Sequence, residues 1–396
     1  MSKICFVNGE VYTPLETIQP GTVIVEGDRI AAVGSPERLQ PPADVEVIDV
    51  AGRVVLPGLI DLHFYGCGGI SLADEATIAD DLQAIARMLP RWGVTGFLIS
   101  PSPRTADRET LLHYLRVTAE AVEALQAEPA GAVPLGIHQE GPYLNPAYKG
   151  AFRADWLREP SVEEVEAYLG AAQGYIRVMT LAPELPHARE VARLLRRRGV
   201  LPSLGHSAAD YETARSALQT DFPLVTHIFN AMTGMHHRQP GVVGAVLDST
   251  AATAFLINDG LHVHPAMVRL LVRVMGQERL ALVTDAMAAA GMGDGEYRLL
   301  GQRVSVKNGE ARLADGTLAG SVLTLNQAVV NARKFARLSW GQAARMATLT
   351  SAHLLGLGIR RGALLPGYRA DLTILMGDDG EVWLTMIGGE VAYWAG

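Results

Sequence analysis

Histidine and acidic residues recur directly after short apolar runs along this 396-residue sequence. Imidazole and carboxylate groups are common ligands of divalent metal ions and common general acids and bases. A single histidine in such a place is more often a hydrogen-bonded core residue. The sequence has only 11 histidines, however, and four of them stand at or beside the ends of different runs, which favours a shared site. The residues at these ends are His63, His138, Glu140, His206, His227, Asn258, Asp259 and Asp285.

Three of these residues form the set expected of a catalytic metal site. Such a site has about three protein ligands and an open position for water, and Glu140, His206 and His227 supply them from three different runs. Nitrogen and oxygen ligands suit Zn²⁺ best, with Fe²⁺ or another divalent ion as the alternative. Asp285 is then free to act as a base, or else caps the segment that follows it. The combination predicts hydrolysis of an amide or a related bond.

Eight apolar runs position these residues, and segments with helical periodicity separate the runs. Runs rich in β-branched residues that alternate with helices are typical of a parallel sheet buried on both faces. Eight repeats predict a closed (β/α)8 barrel of the TIM type, an α/β fold with its catalytic groups at the C-terminal strand ends. An open doubly wound sheet is the competing architecture, but no G-x-G-x-x-G turn follows the first run. The predicted strands are Gly58–His63, Gly96–Ser100, Leu135–Gln139, Val178–Leu181, Leu201–Gly205, Leu224–Ile228, Thr253–Asn258 and Ala281–Asp285.

Both ends of the chain have a different pattern, with short strand-like segments separated by turn residues. The simplest assembly places the two ends together in one small domain that is discontinuous in sequence. We therefore predict a β-sandwich domain from residues 1–55 plus 357–396, and a catalytic barrel from residues 56–356.

Composition excludes several classes of protein. With 48% hydrophobic residues and a formal charge of −8, the chain is typical of a globular protein and has little electrostatic affinity for nucleic acid. No apolar stretch approaches the roughly 18 residues that span a bilayer. Two cysteines cannot build a disulfide framework, and the first apolar run is broken at Asn8, too early for a signal peptide. We expect a cytoplasmic protein with no membrane or nucleic-acid partner.

Seven ordered segments resemble one known family. They are PGLIDLHFYGCGG (57–69), GIHQEGPYLNPAYKGAF (136–152), LGHSAA (204–209), THIFNAM followed by HHRQPG (226–241), NDGLHV (258–263), VTDAM (283–287) and DGTLAGS (315–321). Together they resemble the N-acetylglucosamine-6-phosphate deacetylases of the amidohydrolase superfamily, nearly from end to end.

This resemblance implies removal of acetate from the 2-acetamido group of a 6-phosphorylated sugar, in amino-sugar catabolism and recycling. It implies that Glu140, His206 and His227 bind one divalent metal ion and that Asp285 is the catalytic acid and base. It also implies a homodimer, in which Arg238 reaches the phosphate bound in the neighbouring subunit. The implied substrate contacts are Ala151, Phe152, Asn230, Ala231, His262, Leu318, Ala319 and Gly320.

The sequence departs from the family pattern at two places. The H-x-H of many superfamily members reads His63-Phe64-Tyr65, so we expect a single metal ion. His63 then either forms a weak second site or hydrogen-bonds the site from its floor, and we favour the floor position. Phe152 replaces a histidine that contacts the substrate in some relatives. Phenylalanine cannot donate that hydrogen bond, so the metal alone or His262 must compensate, or the acyl preference differs.

Two other functions compete with this prediction. The nearer one is a related deacetylation, of N-acetylgalactosamine 6-phosphate or another small N-acyl compound. The more distant one is a non-catalytic barrel that has lost its metal ion. Retention of Glu140, His206, His227 and Asp285 argues against the second alternative.

Overall fold

Eight parallel strands form the central sheet of the computed structural model, which describes residues 3–101 and 107–396. Each strand pairs with its neighbour in the chain, and residues beyond the first and last strands meet through a 2.9 Å hydrogen bond from the Asp285 amide to the His63 carbonyl. The (β/α)8 barrel predicted from the apolar runs is confirmed. Its strands are β6 (Leu59–Asp61), β9 (Val94–Ile99), β10 (Val133–Glu140), β11 (Ile176–Leu181), β12 (Leu201–Leu204), β13 (Leu224–Val225), β14 (Thr253–Ile257) and β15 (Leu280–Val283).

Helices surround the barrel and cover the outer face of its strands. Almost every residue of the eight strands is buried, as expected for a parallel sheet with side chains packed on both faces. Aspartate or serine side chains cap the helices that begin at Arg108, Val162 and Tyr211, by accepting backbone N–H groups of the first turn. The helices are α1 (Ile78–Met88), α2 (Arg108–Ala127), α3 (Val162–Ala171), α4 (Ala188–Arg197), α5 (Tyr211–Thr220), α6 (Gly241–Asp248), α7 (Pro265–Met275), α8 (Leu325–Ala336), α9 (Trp340–Arg345) and α10 (Leu349–Leu354).

A second sheet of eight strands combines both ends of the chain, as the sequence predicts. Its core includes Phe6, Val23, Leu372 and Leu384, each at most 1% exposed. The boundaries of the two predicted domains remain a prediction, and residues 1–2 and 102–106 of those domains lie outside the described ranges. The strands are β1 (Lys3–Tyr12), β2 (Thr17–Glu26), β3 (Arg29–Gly34), β4 (Glu46–Asp49), β5 (Val54–Pro57), β19 (Leu372–Leu375), β20 (Val382–Ile387) and β21 (Glu390–Trp394).

A small antiparallel sheet packs over the C-terminal ends of the barrel strands. Its strands form from the hairpin-like region after the eighth barrel strand, and its apolar residues share one cluster with Tyr65, Phe152 and Met287. Its strands are β16 (Gly295–Leu299), β17 (Gln302–Lys307) and β18 (Glu310–Arg312), and a separate two-stranded ribbon is formed by β7 (Gly66–Cys67) and β8 (Ile70–Ser71). Among the described residues, no helix has the length and apolar character needed to cross a membrane.

Candidate active site

The predicted ligands and base lie together at the C-terminal end of the barrel. Glu140 is the last residue of β10, while His206, His227 and Asp285 each stand two residues beyond a strand. These last three have positive φ angles of 49°, 28° and 50°, a left-handed region that residues other than glycine seldom adopt. Such strained backbone tends to cluster at functional sites, where the surrounding fold maintains it.

The three predicted ligand atoms converge on one point. The Nε2 atoms of His206 and His227 lie 3.2 and 3.1 Å from Glu140 Oε1, and 3.1 Å from each other. Ligand atoms around a tetrahedral zinc ion are separated by about 3.3 Å, because each lies about 2.0–2.1 Å from the metal. The spacing of this triad therefore fits a divalent ion.

The hydrogen bond of His206 leaves the correct nitrogen available for a metal. Its Nδ1 lies 2.8 Å from the carbonyl oxygen of Tyr148, which can only accept, so Nδ1 carries the proton. The lone pair of the neutral ring is then on Nε2, which faces Glu140. The ring of Phe152 packs edge-on against His206, with centroids 5.4 Å apart, and supports this orientation.

A second set of ligand atoms overlaps the first. His63, Glu140 and His227 offer atoms that all lie within 4.8 Å of one another. The set with His206 is more compact, since its three separations are 3.1–3.2 Å. His206 therefore completes the more compact of the two candidate metal sites.

His63 is fully buried and faces both carboxylates of the site. Its Nε2 lies 3.2 Å from Asp285 Oδ1 and 3.5 Å from Glu140 Oε2. Burial lowers the pKa of His63, but these two carboxylates outweigh burial and raise the pKa to about 10. Burial likewise opposes ionisation of Glu140, yet the surrounding histidines hold its pKa well below the usual range.

His138 belongs to a buried polar chain below the site. Its Nδ1 faces His63 Nδ1 at 2.6 Å, and its Nε2 lies 2.7 Å from the Thr180 hydroxyl. Burial and the neighbouring His63 lower the pKa of His138 well below the usual value. His138 is therefore a neutral ring that supports His63. It lies on β10, two residues before Glu140 and deeper in the barrel.

The site opens into a cavity of about 640 Å³, within the usual range for small-molecule sites. Another cavity, of about 300 Å³, lies between Tyr12 and Arg345 and contains none of the predicted site residues. The larger cavity is lined by Glu140, His206, His227 and Asp285, and by the predicted substrate contacts Ala151, Phe152, Asn230, Ala231, His262, Leu318 and Gly320.

Two predicted substrate contacts do not line this cavity. Ala319 is completely buried, with its amide donating to the Ala311 carbonyl at 3.0 Å. Arg238 is exposed on the turn between His236 and Gln239, outside the lining of this cavity.

Several residues of the site were not predicted as ligands, catalytic groups or substrate contacts. Lys149 and Arg312 bring positive charge to the cavity lining. Asp259 accepts a 2.6 Å hydrogen bond from His262 Nδ1, and although burial opposes protonation, this contact raises the pKa of His262. Tyr65 donates its hydroxyl hydrogen to Glu140. The signal available for Tyr65 was its place in the altered H-x-H, and for Asp259 its spacing of three residues from His262.

Comparison with known proteins agrees with the resemblance seen in the motifs. The chain is 35% identical to the N-acetylglucosamine-6-phosphate deacetylase of Bacillus subtilis (strain 168), over 97% of this chain and 95% of the relative. It is 38% identical to the N-acetylgalactosamine-6-phosphate deacetylase of Escherichia coli O157:H7, over 87% of this chain and 89% of the relative.

A solved structure gives the same result. A mutant N-acetyl-D-glucosamine-6-phosphate deacetylase from Mycobacterium smegmatis, in complex with N-acetyl-D-glucosamine-6-phosphate, matches with a TM-score of 0.90 at 34% identity, and the match covers 99% of this chain and 100% of that chain. The model of the Amidohydrolase family matches residues 54–392. Since this match spans most of the sequence, and the relatives align over most of their length, the chain belongs to the amidohydrolase family.

Proposed function

We propose that this protein hydrolyses the acetamide of N-acetyl-D-glucosamine 6-phosphate to D-glucosamine 6-phosphate and acetate, in amino-sugar catabolism and recycling. The observation that carries the proposal is the convergence of Glu140 Oε1 and the Nε2 atoms of His206 and His227, all within 3.2 Å, beside Asp285 in an open cavity. The long similarity to deacetylases supports the choice of substrate.

Glu140, His206 and His227 are the residues that would hold one divalent metal ion, which we propose to be Zn²⁺ because of their nitrogen and oxygen ligand atoms. When bound, such an ion polarises the amide carbonyl and makes water more acidic. Asp285 is the proton carrier of the site. Its carboxylate accepts a proton from water as the new C–O bond forms, and returns it to the amine nitrogen as the C–N bond breaks.

His63 holds Asp285 in place from below. The 3.2 Å contact between Nε2 and Oδ1 fixes one carboxylate oxygen and leaves the other for the reacting groups. With no opening to solvent at His63, which is 0% exposed, the floor of the site excludes water on that side. We therefore propose the floor role for His63 rather than a second metal site.

The phosphate of the substrate requires positive charge at the far end of the cavity. Lys149 and Arg312 line the cavity within the same chain. We propose that Arg238 of a second subunit completes the phosphate site of a homodimer, because a guanidinium group matches phosphate oxygens well. A charged phosphosugar does not cross a bilayer unaided, which is consistent with the cytoplasmic location we propose.

The galactosamine epimer is the second candidate substrate. The 38% identity to an N-acetylgalactosamine-6-phosphate deacetylase favours it, and the two sugars differ only in the orientation of one hydroxyl group.

Phe152 lies at the cavity wall against His206 and is 8% exposed. Its ring cannot donate a hydrogen bond to the substrate, so we propose that it supports the orientation of His206 instead.

The experiment that tests the function is acetate release from N-acetylglucosamine 6-phosphate, its unphosphorylated counterpart and its galacto epimer, on protein of measured metal content. We expect fast turnover of the gluco phosphosugar, loss of turnover after chelation and recovery with Zn²⁺. Preference for the galacto epimer would replace the substrate by the second candidate. No turnover of either phosphosugar by metal-loaded protein would contradict the proposed function.

A further inference from the structure

Tyr65 contacts the proposed metal site through the carboxylate of Glu140. We infer that Tyr65 is a positioning residue, whose hydroxyl holds one carboxylate oxygen of Glu140 so that the other oxygen faces the two histidine ligands. The inference rests on the metal site proposed above. It assigns a role to the residue that occupies the second histidine position of the altered H-x-H.

The two oxygens of Glu140 have different partners. Oε2 accepts the Tyr65 hydroxyl hydrogen and lies 3.5 Å from His63 Nε2. Oε1 lies 3.1–3.2 Å from the Nε2 atoms of the two histidine ligands. This division leaves Oε1 as the metal-binding oxygen, with its direction set by the donor on Oε2.

Tyr65 itself is held rigidly. It is 3% exposed, and its backbone N–H donates to the Ala286 carbonyl at 2.8 Å, next to Asp285. Its ring meets the ring of His63 edge-on, with centroids 5.3 Å apart. It also belongs to one buried apolar cluster with Leu144 and Met287. A side chain fixed by these contacts can fix the carboxylate in turn.

The position of this hydroxyl also bears on metal stoichiometry. A phenol at neutral pH is a hydrogen-bond donor, whereas an imidazole at the same place could be a ligand. Because the Tyr65 hydroxyl hydrogen-bonds to Glu140 Oε2, it would compete with a second ion for that oxygen. The contact therefore favours one metal ion per chain.

The test is Tyr65→Phe, which removes the hydroxyl and keeps the ring. Tyr143→Phe is the matched control, since Tyr143 is also buried and donates to a carboxylate, that of Glu164, at 2.7 Å. Zn²⁺ affinity is measured by competition with a chromophoric chelator, and ligand geometry by the visible absorption of Co²⁺-loaded protein. We expect Tyr65→Phe to weaken Zn²⁺ binding about 10–100-fold and to change the Co²⁺ spectrum. The control keeps both, and circular dichroism checks that each variant is folded.

A double-mutant cycle separates positioning from a general loss of structure. If Tyr65 acts through Glu140, adding Tyr65→Phe to Glu140→Gln changes Zn²⁺ affinity by less than about twofold. Wild-type affinity and spectrum in Tyr65→Phe would overturn the inference while leaving the proposed function intact. An equal loss in both backgrounds would also overturn it. Failure of the wild-type protein to bind any metal would instead overturn the proposed function.

Discussion

The backbone of Asp285 is held in a strained conformation by two hydrogen bonds. Its backbone is left-handed, its amide donates to the His63 carbonyl, and its carbonyl accepts from the Ser321 amide at 2.8 Å. A left-handed aspartate costs on the order of 1–3 kcal/mol, which the two backbone hydrogen bonds help to offset. This arrangement fixes the carboxylate above His63.

Replacing Asp285 tests its role as proton carrier. Asp285→Asn keeps the size of the side chain and removes its basicity, so we expect kcat to fall at least about a hundredfold. Bound metal and KM should change little, because the three ligands are untouched. The measurements are steady-state acetate release and metal content of the purified variant. Near-normal turnover in the variant would exclude Asp285 as the base.

At the level of elements, one buried carboxylate links two neighbouring helices. Asp221 follows the C-terminus of α5 with its side chain 7% exposed, and accepts from Arg189 Nε of α4 at 2.6 Å. A second guanidinium, that of Arg193, lies 3.3 Å away. Burial alone would raise the pKa of Asp221, but the two arginines outweigh burial and hold the pKa below its usual value.

This depressed pKa gives stability a defined pH dependence. The ion pairs stabilise the folded state above the unfolded pKa of about 4 and are lost as pH falls through the lower folded pKa. We expect Asp221→Asn to lower the free energy of unfolding by about 1–2 kcal/mol at pH 7, and by less below about pH 4. Urea titrations at both pH values measure the difference.

The same helix provides a control for this prediction. Glu212 of α5 pairs with Arg215 at 3.0 Å, but its side chain is 71% exposed. Glu212→Gln should therefore cost less than about 0.5 kcal/mol at either pH. An Asp221→Asn cost equal to that of the control, or unchanged by acid, would show that burial of the pair contributes nothing.

On the scale of the whole molecule, the proposed role of Arg238 would make the complete site a property of two chains. A homodimer has twofold symmetry, so Arg238 of each subunit would contribute to the phosphate site of the other subunit. Variants Arg238→Ala and Asp285→Asn would then damage the same site of a mixed dimer. One site would carry both changes and the other neither.

Subunit mixing tests this arrangement directly. When the two weakly active variants are dissociated and reassociated in equal amounts, about a quarter of all sites should be intact, because about half of the dimers are hybrids. Acetate release should recover to about a quarter of the wild-type rate. Mixing without dissociation is the control. No recovery in hybrids isolated by differential tags would place Arg238 in its own subunit's site or outside the site.

The sequence by itself determined the barrel and the end of the barrel at which chemistry takes place. Parallel strands buried on both faces require continuous apolar runs, so eight runs were visible without coordinates. A polar residue at the C-terminal end of a buried run lies at the mouth of the barrel, which made Glu140, His206, His227 and Asp285 the predicted site residues. Both chain ends contribute to one sheet, as their turn-rich pattern predicted.

Only the tertiary structure decided the depth of each of these residues in the barrel and the partners that each side chain contacts. His138 and Glu140 lie two residues apart on the same face of β10, and their separation of about 6–7 Å places one in the barrel interior and the other at its mouth. The partner of each Glu140 oxygen, including Tyr65, depends on side chains from distant strands. So does the exclusion of Ala319 from the cavity. Residue type and order along the chain fix which strand carries a group, whereas depth and direction are set by packing between strands.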